Sequence, residues 1–69
     1  MRIKLNTMVK VITINGDELI GTYKGIGITG IILKDVKIIS KDNDNKELNM
    51  LEGYIEFNKI NEVIPQKED

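Results

Sequence analysis

Apolar and polar residues alternate with a period of two along several short stretches of the chain, the pattern of a half-buried β-strand. The first stretch covers residues 9–14 and ends at Asn15-Gly16, a dipeptide typical of a tight turn between two strands. The second, residues 18–28, contains Gly21, Gly25 and Gly27. Because glycine weakens a flat strand, we interpret these positions as bends or bulges of the kind that let a small sheet close on itself.

The middle of the chain predicts a second hairpin. A turn at Thr29-Gly30 precedes a third strand over residues 31–40. Residues 41–49 are polar, rich in turn formers and without apolar periodicity, so we expect an exposed loop there. Alternation resumes over residues 51–58, which predicts a fourth strand.

The two ends of the chain add little to this pattern. Residues 62–64 predict a short last strand ended by Pro65, and residues 66–69 are expected to fray. Residues 1–8 are too few for a stable helix and are assigned as an extended lead-in. Residues 1–69 are therefore expected to form one all-β domain, a small, five-stranded, strongly bent barrel with little or no N-terminal helix.

Composition limits how such a domain is stabilised. A chain of 69 residues buries only about 60% of its unfolded surface, and this one has neither cysteine nor histidine. The chain therefore cannot form disulfides and is poorly suited to the usual structural metal sites. Self-association is the remaining way to add stability to so small a core. The lack of cysteine, of a signal-peptide pattern and of an apolar run of about 20 residues leads us to expect a cytoplasmic protein with no membrane partner.

Charge and residue usage refine the picture in two ways. A formal net charge of −1 argues against strong non-specific binding to nucleic acid but is compatible with a local basic site. Thirteen isoleucines beside three aromatic residues favour strands, because β-branched side chains pack well on a pleated sheet. Drift towards isoleucine, lysine and asparagine under A/T-rich coding is the alternative explanation of this usage.

A family resemblance is carried by residues 9–25, which read Val-x-Val-x-Thr-Ile-Asn-Gly-Asp-Glu-Leu-Ile-Gly-Thr-Tyr-Lys-Gly. This stretch resembles the first half of the Sm1 motif of Sm, Lsm and archaeal Sm-like proteins. Residues 31–36 are similar to the third strand of that family. Residues 55–63 resemble the second Sm motif, in the spacing used by bacterial host-factor-Q proteins.

The resemblance implies a highly bent five-stranded barrel that assembles into a ring, with the fourth strand of one subunit paired with the fifth of the next. It also implies binding of single-stranded, U-rich RNA at the inner rim. In that fold the two turns that form the rim meet, so the candidate RNA-binding residues here are Ile28, Thr29, Gly30, Asn58 and Lys59. This rim departs from the family pattern, because its loop lacks the usual aromatic, Asp and Asn, and we therefore expect weak RNA binding.

A second hypothesis belongs to a different class. An SH3-like barrel without nucleic-acid activity can serve as a protein-interaction or assembly module. Exposed Ile26, Ile28 and the free strand edges would then bind another polypeptide by strand addition. The oligomeric state in solution discriminates between the two hypotheses.

Three other patterns in the sequence have simpler interpretations. Gly25-x-Gly27-x-x-Gly30 matches a dinucleotide-binding fingerprint, but a strand instead of the required helix is predicted after it. Alternating carboxylates in the polar loop suit calcium, yet the glycine and terminal glutamate of an EF-hand are missing, so a solvated loop is the preferred interpretation; these residues are Asp42, Asp44 and Glu47. A set of lysines interspersed with acids predicts a mixed-charge surface; the set is Lys10, Lys24, Lys34, Lys37 and Lys59.

Catalysis has little support in the sequence. General acid–base chemistry without histidine requires paired carboxylates in a pocket, and a barrel this small fills its interior with side chains. Ser40 has no visible base near it in sequence. We therefore predict a binding protein without catalytic residues, cofactor or metal. Tyr23 and Phe57 are expected in the core, whereas the position of Tyr54 is left open.

Overall fold

The computed structural model describes residues 2–42, 44 and 46–66, and they form a single antiparallel sheet of five strands in the order β4-β3-β2-β1-β5. In chain order the elements are β1 (Met8–Thr13), β2 (Glu18–Ile26), β3 (Gly30–Ser40), β4 (Lys46–Glu56), a 3-10 turn (Phe57–Lys59) and β5 (Ile60–Pro65). The predicted all-β class with five strands is confirmed. Across these residues no helix is long and apolar enough to cross a membrane.

The sheet bends at the glycines of β2. Its register against β3 shifts between Ile20 and Thr22 and again between Tyr23 and Gly25, where Gly25 has a φ of 119°. A Cβ added at Gly21 would lie 3.1 Å from the backbone oxygen of Lys34, so β3 crosses very close to β2 at this point. The prediction that glycine permits the curvature is confirmed at Gly21 and Gly25.

The core forms between the inward faces of the curved sheet. Two bulges reverse which residues point inward, because an extra residue shifts the alternation by one position. On β3, Asp35 has a positive φ of 53° and lies between the inward residues Leu33 and Val36. The buried side chains are Val9, Val11, Tyr23, Ile31, Leu33, Val36 and Ile55.

The two aromatic residues expected in this core behave differently. Tyr23 is buried, as predicted. Phe57 is 42% exposed, so its placement in the core was wrong. The alternation that pairs Phe57 with Ile55 stops because β4 ends at Glu56 and the 3-10 turn begins at Phe57.

The N-terminal segment is more than an extended lead-in. The Asn6 backbone N–H donates to the Tyr23 oxygen at 2.8 Å, and the Tyr23 N–H donates to the Thr7 oxygen at 2.8 Å. Asn6 adopts a positive φ of 68°, which turns the chain so that Ile3 packs against the core. No helix forms over residues 2–7, in agreement with the prediction for this end.

The predicted polar loop over residues 41–49 was too long. β4 begins at Lys46, which lies opposite Ser40 of β3, and residues 46–49 are already strand. Nearly every residue of β4 is exposed, so this edge strand lacks the apolar alternation by which the other strands were recognised. Asn43 and Asn45 of the predicted loop lie outside the described residues.

Two further boundaries differ from the prediction. β5 starts at Ile60 and includes Pro65, so it is longer than residues 62–64. The Gln66 N–H donates to the Met8 oxygen at 2.8 Å. The other residues of the tail expected to fray, 67–69, lie outside the described range.

The turn between β1 and β2 is not the two-residue type that Asn15-Gly16 most often forms. The Gly16 N–H donates to the Thr13 oxygen at 2.9 Å, and only Gly16, with φ 87°, takes a positive φ in this turn. The Asn-Gly signal therefore predicted the hairpin correctly, but the loop is of the longer, bulged type.

Candidate functional site

The two turns that carry the candidate residues lie side by side. The Phe57 backbone N–H, at the start of the 3-10 turn, donates to the oxygen of Thr29 at 2.8 Å. Asn58 and Lys59 follow in the same 3-10 turn. The structure therefore brings together the residues that the sequence placed on separate turns; we call this surface the turn face, made of Ile28, Thr29, Phe57, Asn58 and Lys59.

The turn between β2 and β3 is held in one shape by several contacts. The Gly27 N–H donates to the Gly30 oxygen at 2.8 Å, which closes the turn. The Tyr54 hydroxyl accepts a hydrogen bond from the Thr29 N–H and shares another with the Thr29 hydroxyl, each at 2.9 Å. A Cβ at Gly27 would lie 2.8 Å from the Tyr54 ring, so the ring lies directly on this glycine. Tyr54, whose position the sequence left open, thus braces the turn.

Exposure separates the candidate residues into two groups. Ile28 is 98% exposed at the tip, and Thr29, Asn58 and Lys59 are also exposed. Gly30 is buried, and a Cβ there would lie only 2.1 Å from the Ile55 oxygen. Gly30 therefore allows β3 to approach β4 closely. Its role next to the turn face is in this packing and not in contact with a ligand.

An aromatic ring lies at this face although the sequence analysis did not place one there. Phe57 is 42% exposed and is joined to Thr29 through its backbone. Its alternation with Ile55 suggested a core position. Because β4 ends at Glu56, Phe57 belongs to the 3-10 turn and its side chain does not follow that alternation. Lys59, two residues after Phe57 in the same 3-10 turn, adds a positive charge to this face.

A cleft of about 330 Å³ lies beside the turn face, between the end of β1 and the end of β4. Leu19 and Ile55 supply apolar walls, and Asp17, Glu56 and Lys59 supply charges. The Ile14 N–H donates to the Lys59 oxygen at 3.0 Å, which ties the 3-10 turn to β1 below the cleft.

The surface carries mixed charges. Lys10 Nζ lies 3.6 Å from Glu18 Oε1, and Lys37 Nζ lies 4.0 Å from Glu47 Oε1. Among residues 2–42, 44 and 46–66 no group of three or more acidic, histidine or cysteine residues could hold a metal ion. Glu47, one of the three carboxylates considered for calcium, faces a lysine instead of a metal site.

The sheet edges are the other surface open to a partner. β4 borders only β3, and β5 borders only β1, so each strand has one unpaired edge among the described residues. β4 also exposes large apolar side chains; these are Leu48, Met50, Leu51 and Tyr54. Comparison of the sequence with models of known protein families and with curated proteins found no match.

Proposed function

We propose that this chain is a non-enzymatic, Sm-like binding protein that assembles with copies of itself into a ring, with β4 of one copy paired with β5 of the next. The observation that carries the proposal is the edge of β4. This strand is eleven residues long, and Leu48 and Leu51 are 62% and 81% exposed. A long edge with exposed apolar side chains is a template for pairing with another chain.

The size of the domain gives a reason for assembly. Among the residues that the structure describes, only seven side chains form the buried core, and the chain has no cysteine with which to add a disulfide. Pairing two edges between copies satisfies backbone groups that are otherwise left to water and buries apolar surface that one copy leaves exposed. Because β4 and β5 are different edges, the contact between two copies is heterologous, that is, head to tail. Such contacts generate a ring when the rotation from one subunit to the next adds up to a full turn.

RNA binding at the turn face is the second part of the proposal. Thr29, Asn58 and Lys59 supply polar and positively charged groups on two turns that touch. The exposed ring of Phe57 supplies the stacking surface that the sequence of the loop lacked. A stacked base contributes about 1–3 kcal/mol, and Asn and Lys can contact a base edge and a phosphate.

An SH3-like protein-interaction module without nucleic-acid activity is the alternative, and one observation favours it. Ile28 is almost fully exposed and Ile26 is 52% exposed, which makes the tip of the β2–β3 turn apolar. A monomer that ignores RNA at low salt and binds an extended peptide along β4 would support this alternative over the ring.

The assembly is tested by measuring the mass in solution with light scattering and native mass spectrometry. We expect a closed oligomer of defined mass, and a folded monomer for the double variant Leu48→Lys, Met50→Lys, which adds like charges to the β4 edge. Ile28→Lys is the matched control, because Ile28 is exposed and lies in the turn between β2 and β3, outside the two edge strands. A monomeric natural chain contradicts the ring.

RNA binding is tested by fluorescence anisotropy with a short U-rich RNA over a series of salt concentrations. Phe57→Ala should weaken binding by about 1–3 kcal/mol. Lys59→Ala should weaken it and reduce its salt dependence, because one phosphate contact is lost. Leu5→Ala, at an exposed apolar residue of the N-terminal segment, is the control for general surface effects. Binding that is unchanged in the Phe57 and Lys59 variants would contradict a site at the turn face.

A further inference from the structure

The N-terminal segment and the turn between β2 and β3 lie at the same end of the barrel. The Asn6 N–H donates to the Tyr23 oxygen, and a Cβ added at Gly25 would lie 3.7 Å from Leu5 Cδ2. Lys24 Nζ donates to Asn6 Oδ1, which ties the lysine side chain to the segment. The segment therefore runs beside the end of β2 that leads into the turn.

Large apolar side chains are exposed at this end of the barrel. Leu5 and Ile26 are more than half exposed, and Ile28 is 98% exposed. A side chain as exposed as Ile28 projects from the surface, so no groove surrounds it that could hold a peptide. The hydrogen bonds between Tyr54 and Thr29 hold the turn in one shape, so Ile28 is already directed outward before any partner binds.

Basic residues accompany these apolar side chains, because charge is unevenly distributed along the chain. Residues 2–16 and 19–34 contain five lysine or arginine residues and no acidic residue. Arg2, Lys4 and Lys24 belong to these ranges, lie in the N-terminal segment or beside it, and are exposed. None of the three forms an ion pair with another described residue. This end is therefore basic, although the whole chain has a formal net charge of −1.

We propose that this end of the molecule docks on the surface of an anionic lipid bilayer, with Ile28 inserted at the level of the headgroups and the basic side chains in contact with the headgroup charges. We call it the docking end; its residues are Arg2, Lys4, Leu5, Lys24, Ile26 and Ile28. Burial of apolar side chains and attraction of basic ones to anionic lipid add together at such a surface. The lack of a spanning segment, on which the expectation of no membrane partner rested, does not bear on this kind of contact.

Shape and charge together select this partner. RNA offers phosphates to the lysines but no continuous apolar layer to receive a projecting isoleucine. Glu56 faces Gly30 at the base of the turn and reduces the positive charge without cancelling it. The docking end lies outside both edge strands, so it stays exposed in the proposed ring. All subunits of a ring carry it at the same height along the ring axis, so several copies would contact one flat surface and bind it more tightly than a single chain.

The experiment measures binding of the full chain to vesicles by flotation. Vesicles of phosphatidylcholine with phosphatidylglycerol are compared with vesicles of phosphatidylcholine alone, and we expect binding to the anionic vesicles only. Ile28→Ser should weaken binding about tenfold because the inserted side chain is lost, whereas Ile28→Leu, which keeps an apolar tip, is the matched control.

The charge of the docking end is tested by a second set of variants. Lys4→Gln and Lys24→Gln should each weaken binding about fivefold and reduce its dependence on salt. Lys37→Gln is the matched control, because it removes the same charge from a lysine of β3 that lies near Glu47 and outside the docking end.

Insertion also has an optical readout. The chain has no tryptophan, so Ile28→Trp places a single reporter at the tip of the turn. We expect its emission to shift to shorter wavelength with the anionic vesicles and to stay unchanged with the neutral ones. A bound chain whose emission does not shift would overturn the insertion of this tip.

The contrary results are distinct from failure of the ring or of RNA binding, because neither is needed for this contact. If the natural chain does not bind anionic vesicles at low salt, the inference is wrong even where RNA is bound. Binding that is unchanged in Ile28→Ser would show adsorption by charge alone, which also overturns it. Without vesicle binding, a solution mass that falls in Ile28→Ser would assign the docking end to a second copy, and binding of a short acidic peptide would assign it to another polypeptide.

Discussion

The Tyr54 hydroxyl accepts a hydrogen bond from the backbone N–H of Thr29 and shares a second with the hydroxyl of the same residue. One side chain of the edge strand β4 thereby holds the turn between β2 and β3, twenty-five residues away in sequence. Since Thr29 also accepts the Phe57 N–H, both turns of the turn face depend on this position.

Replacing Tyr54 with phenylalanine should loosen the turn without unfolding the barrel. The ring still covers Gly27, but two exposed hydrogen bonds are lost, which reduces the free energy of unfolding by about 1 kcal/mol. Hydrogen exchange should become faster at the Thr29 amide and stay unchanged at the Leu33 amide of the core. An unchanged Thr29 amide would show that Tyr54 does not hold the turn.

Gly30 and Gly53 provide a test of how closely β3 and β4 approach. A Cβ at Gly30 would lie 2.1 Å from the Ile55 oxygen, so Gly30→Ala should cost about 3 kcal/mol or more of unfolding free energy. At Gly53 the nearest atom is a Val36 methyl at 3.3 Å, which can shift, so Gly53→Ala should cost only about 1 kcal/mol. Urea unfolding of both variants measures the difference, and equal costs would contradict this geometry.

The need for glycine at position 25 comes from its backbone conformation and not from crowding by neighbouring atoms. A Cβ there would meet only the end of the Leu5 side chain at 3.7 Å, but the φ of 119° is one that other residues rarely adopt. Gly21 differs, because a Cβ there would lie 3.1 Å from the backbone oxygen of Lys34. We expect Gly25→Ala to cost about 1–3 kcal/mol. The double variant with Leu5→Ala should show additive costs in a double-mutant cycle, whereas rescue by Leu5→Ala would show crowding.

Sequence reasoning succeeded where burial enforces a pattern. The alternation of Val9 and Val11 and the glycines of β2 predicted the strands, the bends and part of the core, because a residue that faces the interior has few acceptable substitutes. It failed for β4, which is exposed on both faces at its start, so that its sequence from Lys46 onward reads as a loop. Phe57 was misplaced because the end of a strand depends on the packing of the 3-10 turn against Thr29, which no local pattern encodes.

The thermal stability of the chain should depend on its concentration. If the β4 edge of one copy pairs with β5 of the next, assembly stabilises only the folded state, and mass action adds about 2.7 kcal/mol at a free concentration of about one hundred times Kd. For a domain of this size that shift raises Tm by about 10–20 °C. Circular dichroism melts over a dilution series measure the shift, and the monomeric double variant Leu48→Lys, Met50→Lys is the control that should melt at one temperature throughout. A Tm that does not change with dilution of the natural chain would mean that the exposed apolar edge of β4 is left to water or reserved for a different polypeptide, as the interaction-module alternative requires.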